Sequence, residues 1–179
     1  MSWRDWFGIV AVEGLTGEQE TFLDELGQML DLYRPTKVDR AHSGVRSHEH
    51  GWTMDEAVEV RLAHSEQPDV VVEAVIGLGE ALLAWLTAHE HLSAADDEPG
   101  GRRWTTRLVD AIAGVLGGDF EVVDTYRGKR LVRTRIIDVA HPDGPRTVGE
   151  TGSLLRWLPG PGRARTESRR VDFGVQVPA

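Results

Sequence analysis

The period of the hydrophobic pattern changes along this chain, and that change restricts the fold more than any other feature. Apolar residues every three or four positions bury one stripe of a helix, whereas alternation buries one face of a strand. Thr16 with Gln19 is a capping-box pair, and Phe22, Leu23, Leu26, Met29, Leu30 and Tyr33 follow at helical spacing up to Pro35. This predicts an amphipathic helix that starts at Thr16 and stops before the proline. Trp104, Leu108, Ala111, Ile112, Val115 and Leu116 predict a second helix, with Gly117-Gly118 as its stop.

The pattern then turns to strands. Phe120–Tyr126 and Lys129–Val139 flank Arg127-Gly128 as a hairpin, and His141-Pro142-Asp143-Gly144-Pro145 is a turn. A third strand falls within Arg146–Trp157, Leu158–Gly162 breaks the chain, and Val171, Phe173, Val175 and Val177 alternate to the end. In the front half, Phe7–Val12 reads as a buried strand and Ala57–Ala63 as a half-buried one, with Val58, Val60 and Leu62 on its inner side. Residues 36–53 read as polar and irregular. Val70–His91 reads as a nearly all-round apolar helix opened by Pro68; the alternative is a strand over Val70–Ile76, a turn and a shorter helix.

This order predicts an α+β fold: N-terminal strand and helix elements and two or three main helices packed on a mostly antiparallel sheet, with a C-terminal strand run. A chain of 179 residues, 40% hydrophobic with six Trp, is expected to form a single domain over 1–179. The acidic loop 94–101 marks where a subdomain boundary would fall.

Charge is divided unevenly. Residues 1–100 hold 6 Lys+Arg against 20 Asp+Glu, a balance of −14, whereas residues 101–179 hold 14 against 9, a balance of +5. The chain has no Cys, which excludes a disulfide framework, thiolate metal sites and a cysteine nucleophile. The first residues lack a basic segment followed by an apolar run, and the expectation is a cytoplasmic protein. The most apolar stretch, Val70–Leu86, is interrupted by Glu73, Gly77, Gly79 and Glu80, so no membrane contact is expected.

Four groups of residues carry candidate chemistry. His48-Glu49-His50 and His89-Glu90-His91 repeat one tripeptide, and His42 lies near the first. In an extended segment His48 and His50 would point the same way and could ligate a metal; on a helix, two positions are about 200° apart and His89 and His91 would diverge. Ile76-Gly77-Leu78-Gly79 has the look of a dinucleotide-binding turn, but Leu82 stands where the third glycine belongs. Glu73 and Glu80, seven apart, would share one face of the expected helix as paired carboxylates. Arg127, Lys129, Arg130, Arg133 and Arg135 crowd one hairpin beside Tyr126, followed by Arg163, Arg165, Arg169 and Arg170.

Without a catalytic signature, the expectation is a non-enzymatic interaction protein: a small accessory, inhibitor-like or adaptor protein with segregated acidic and basic surfaces. It needs no cofactor. Its partner is an unidentified protein or a second copy, met by Arg127, Lys129, Arg130, Arg133 and Arg135. The alternatives are a metal-dependent enzyme built on His42, His48 and His50, and nucleic-acid binding through the hairpin 127–135. The overall acidity of the chain argues against the last.

Overall fold

A computed structural model describes residues 2–47, 56–97, 99–152 and 164–176. It is an α+β structure with two helices and two mostly antiparallel sheets. The first helix, α1 (Gly17–Tyr33), begins as its sequence requires: Thr16 Oγ1 accepts from the Gln19 amide at 3.3 Å, and Gln19 Oε1 accepts from the Thr16 amide at 3.0 Å. This reciprocal pair satisfies amides that a helix start otherwise leaves open. Phe22, Leu23, Leu26 and Leu30 are fully buried on its inner stripe. The second helix, α2 (Trp104–Gly117), ends on Gly118, whose φ of 74° a glycine adopts without strain. Asp97 accepts from the Trp104 amide at 3.1 Å and from Arg107 at 2.8 Å, so the acidic loop closes the start of α2.

The strands β1 (Ile9–Ala11), β2 (Val38–Ser47), β3 (Val58–His64), β4 (Val71–Ile76), β5 (Glu80–Trp85) and β6 (Ala88–Ser93) form one six-stranded sheet in chain order. β1 runs parallel to β2 with α1 between them in sequence, and every other neighbouring pair is antiparallel. β7 (Phe120–Arg127), β8 (Arg130–Asp138), β9 (Arg146–Gly152) and β10 (Ala164–Arg170) form an antiparallel second sheet in the order β10-β7-β8-β9. One hydrophobic cluster joins Phe22 and Leu26 of α1, Leu83 of β5, Leu108 and Ile112 of α2, and Val122 and Ile136 of the second sheet.

Five expectations are corrected. Phe7–Val12 contains a strand, β1, but at an exposed edge rather than buried, with Ile9 and Val10 both exposed. Val70–His91 is not a helix but three strands. Val72, Ala74, Ile76, Ala81, Leu83 and Trp85 are buried in strict alternation, while Val71, Glu73, Val75, Leu82 and Ala84 between them are half-buried. Apolar residues on both parities erase the period that separates strand from helix. The strand alternative over Val70–Ile76 holds; the helix after it does not, because Gly79 (φ 72°) turns the chain into β5 and the Gly77 amide closes on Glu80 O at 2.9 Å. The irregular stretch 36–53 contains β2, a strand with few apolar residues. Gly44 lets β1 lie against it, since a Cβ there would sit 2.7 Å from Ile9 Cβ. β3 is covered on both faces rather than one, with Glu59 9% and Ala63 7% exposed. The C-terminal strand is Ala164–Arg170, not 171–177. Beyond it, Val171 and Phe173 are buried and the Phe173 amide donates to Leu116 O at 2.9 Å, so the tail's alternation reflects packing against helix ends. Val177 and Arg146–Trp157 beyond Gly152 lie outside the described residues.

Candidate functional site

The hairpin of β7 and β8 carries the five expected contact residues in two different settings. Arg127, Lys129 and Arg130 sit exposed at its turn. Arg133 and Arg135 share the face opposite buried Val132, Thr134 and Ile136, as their alternation requires. Arg133 is not a bare cation there. Arg133 is ion-paired with Glu150 of β9, and the Nε–H groups of Arg133 and Arg135 are buried without a hydrogen-bond partner among the described residues. Arg165 pairs with Glu167 at 2.9 Å and lies over the Tyr126 ring, Arg169 pairs with Asp124 at 2.8 Å, and Arg170 Nε donates to Gly118 O. Much of the positive balance of the tail is thus used within the second sheet. Arg163 lies outside the described residues.

Asp124 is the centre of that internal use. Its side chain is wholly buried, at 0% exposure. It accepts from Thr134 Oγ1 at 2.7 Å, from Arg169 at 2.8 Å, and from Thr87 Oγ1 at 2.9 and 2.7 Å to its two oxygens. Thr87 belongs to the β5–β6 turn, next to Leu86 with its left-handed φ of 51°, so this network fastens one sheet to the other. Desolvation pushes the Asp124 carboxyl up, but hydrogen bonds from Thr134, Thr87 and Arg169 together with the Arg169 charge hold it below the ordinary aspartate value. No local signal in the sequence links Asp124 to Thr87, 37 positions away.

The described histidines do not converge. His48 and His50 lie outside the described residues. His42 is exposed and bound through Nδ1 to Asp39 at 2.7 Å. His89 and His91 fall on a strand, not a helix, and so share a face; His91 contacts Glu80 at 3.0 Å. Among the described residues no group of three potential ligands could hold a metal ion. Glu73 and Glu80 do share a face, but of a sheet. Glu73 pairs with Arg61 at 3.5 Å and Glu80 meets His91, so each is engaged separately. Gly77-Leu78-Gly79 is a hairpin turn. No described helix is long and apolar enough to cross a membrane.

Two further features escaped the sequence. A cleft of about 440 Å³ is bordered by Asp110, Asp119, Asp138, His141 and Tyr33. Burial, then the neighbouring Asp138 charge, push the Asp119 carboxyl up against the pull of Arg170. The second feature is the outward face of the six-stranded sheet. Its centre is Val71, Val75, Leu82 and Ala84, all half-buried, and Arg46–Glu59 (2.6 Å) and Arg61–Glu73 (3.5 Å) are ion pairs upon it. β1 forms one edge, with Ile9 47% and Val10 38% exposed. The signal was present as alternation in Val71–Ile76 and Glu80–Trp85, masked by the apolar character of both parities. Comparison with known proteins returns no match: no family model, no curated protein and no solved structure resembles the chain.

Proposed function

We propose that this is a non-enzymatic macromolecular-interaction protein, a small accessory or adaptor, whose contact surface is the outward face of the six-stranded sheet. The observation that carries this reading is the half-buried apolar centre of Val71, Val75, Leu82 and Ala84, set among cations already matched by acids. Its inner face is occupied by the core; the outer one offers a flat apolar area with a charged surround, the composition of a protein contact rather than of a catalytic cleft. The partner is a protein with an amphipathic segment. Its apolar side would displace water from the four central residues, and the ion pairs around them would set its register. A contact led by the basic hairpin is the second reading, favoured by the exposed turn residues Arg127, Lys129 and Arg130.

Affinity capture from host extract with three proteins separates these: wild type, L82E and the double variant K129E/R130E, each with its fold checked by circular dichroism. The sheet-face reading expects specific partners held by wild type and K129E/R130E, lost by L82E and insensitive to salt. Loss with K129E/R130E alone, with steep salt dependence, transfers the function to the hairpin. A wild-type chain that stays monomeric and captures nothing specific refutes both.

A further inference from the structure

The C-terminal end of α1 and the start of β2 enclose a cleft of about 540 Å³ lined by Trp6, Asp31, Arg34, Pro35, Thr36 and Arg40. Two arginines line it, and neither forms an ion pair with a described residue. The nearest acids are Asp31, which lines the cleft and keeps its charge beside the two guanidiniums, and Asp39. Asp31 Oδ1 accepts from the Trp6 indole N–H at 2.6 Å, and Asp39 is taken up by His42 Nδ1 at 2.7 Å and by the amides of Ala41 and His42.

The Arg40 guanidinium is held in place, and the Arg34 backbone is fixed. The Arg40 guanidinium lies 3.6 Å from the ring centroid of Trp6, which is itself only 3% exposed and anchored through its N–H. Stacking fixes the plane of the guanidinium and leaves its edge N–H groups free to meet a ligand. Arg34 sits in the left-handed conformation, φ 44°, ψ 60°, at the end of α1. α2 ends in the same conformation with Gly118, which bears no such cost. A side chain there costs roughly 1–2 kcal/mol, and strain of this kind gathers where a side chain is needed in one place.

From this geometry we propose that the cleft is a binding site for the phosphate group of a small phosphomonoester. Two guanidiniums match a dianion better than a monoanionic carboxylate, and their planar forks suit phosphate oxygens. The volume suits a metabolite-sized ligand. The site is separate from the outward sheet face and does not depend on that surface having a partner.

The test is isothermal titration with inorganic phosphate, glycerol phosphate and acetate at low ionic strength, on wild type, R34Q, R40Q, R40K and the distant control K129Q. Saturable binding of both phosphates is expected, with acetate at least tenfold weaker. R34Q and R40Q should each weaken phosphate binding tenfold or more, and K129Q should leave it unchanged. R40K, which keeps the charge but loses the fork, should also weaken it and guards against a folding defect in R40Q. Binding of inorganic phosphate alone, with glycerol phosphate excluded, overturns the phosphomonoester assignment. So does absence of phosphate binding at 10 mM (roughly the weak limit of specific recognition), or equal weakening by K129Q.

Discussion

Replacing Asp124 by Ala should unfasten the two sheets. The carboxylate accepts from Thr87, Thr134 and Arg169 in a site at 0% exposure. Thr87 has one hydroxyl proton, so its two short contacts count as a single shared hydrogen bond. The three short donors to this carboxylate, beside a long contact from the Tyr126 hydroxyl at 3.5 Å, would be worth about 1.5–3 kcal/mol each, but the desolvation of the charge offsets much of that sum. The loss is then set by what is stranded. The Thr134 hydroxyl is left in a buried site, whereas the Arg169 side chain, 42% exposed, can turn to water. An unsatisfied buried polar group costs about 1–3 kcal/mol, and D124A is expected in that range. At about 2–4 °C per kcal/mol for a chain of this size, the melting temperature should fall by roughly 2–12 °C.

Thermal and urea denaturation at neutral pH measure this, and a T87V/D124A cycle should show strong coupling between residues in different sheets. The pH dependence has a definite sign. The folded carboxyl lies below its unfolded value, so its contribution is present above about pH 4 and is lost as pH falls further, through the folded value. The wild type and D124A should therefore converge in acid. A D124A loss under 1 kcal/mol, or a gap that widens in acid, would refute the reasoning.

Other expectations follow from single sites. Asp119 has the opposite sign: its carboxyl is raised by burial and by Asp138, so its charge destabilises the fold above the raised value. D119N should stabilise the protein in neutral denaturation experiments, with the gain disappearing as pH falls to the ordinary aspartate value. At Gly44, a methyl group would lie 2.7 Å from Ile9 Cβ and 2.8 Å from Ile9 O. G44A should cost about 1–3 kcal/mol and, by hydrogen exchange, expose the amides of β1 while leaving β4 and β5 protected.

What could be read in advance follows the range of the physics. α1 and α2 were legible because their signals are local: Thr16 with Gln19, one apolar stripe, Gly118 after the last turn. The β7–β8 hairpin was legible for the same reason. β4 was legible only as an alternative to a helix, and β5 and β6 were not legible, because Val71, Val75, Leu82 and Ala84 give the outward parity the same apolar character as the core. β2 was missed because Val38 and Val45 are its only large apolar residues and its pairing depends on Gly44. The arginine pattern correctly placed Arg133 and Arg135 on one face, but no local signal named Glu150 as the partner of Arg133. The Trp6–Arg40 stack and the Asp124 network join residues that only the fold brings together.

The strand order of the two sheets bears on how the chain assembles. From β2 to β6 each strand pairs with its successor in sequence, so that part can zip together hairpin by hairpin with little loop-closure entropy at each step. The second sheet cannot. β10 must pass β8 and β9 to reach β7, and it brings Arg169 to Asp124 as it docks. Until then β7 has an open edge and Asp124 lacks its counter-charge. That edge is the place where another chain could pair in error, and slow docking of β10 lengthens the exposure. Aggregation during refolding should therefore respond more to changes in β10 than to changes anywhere in the six-stranded sheet.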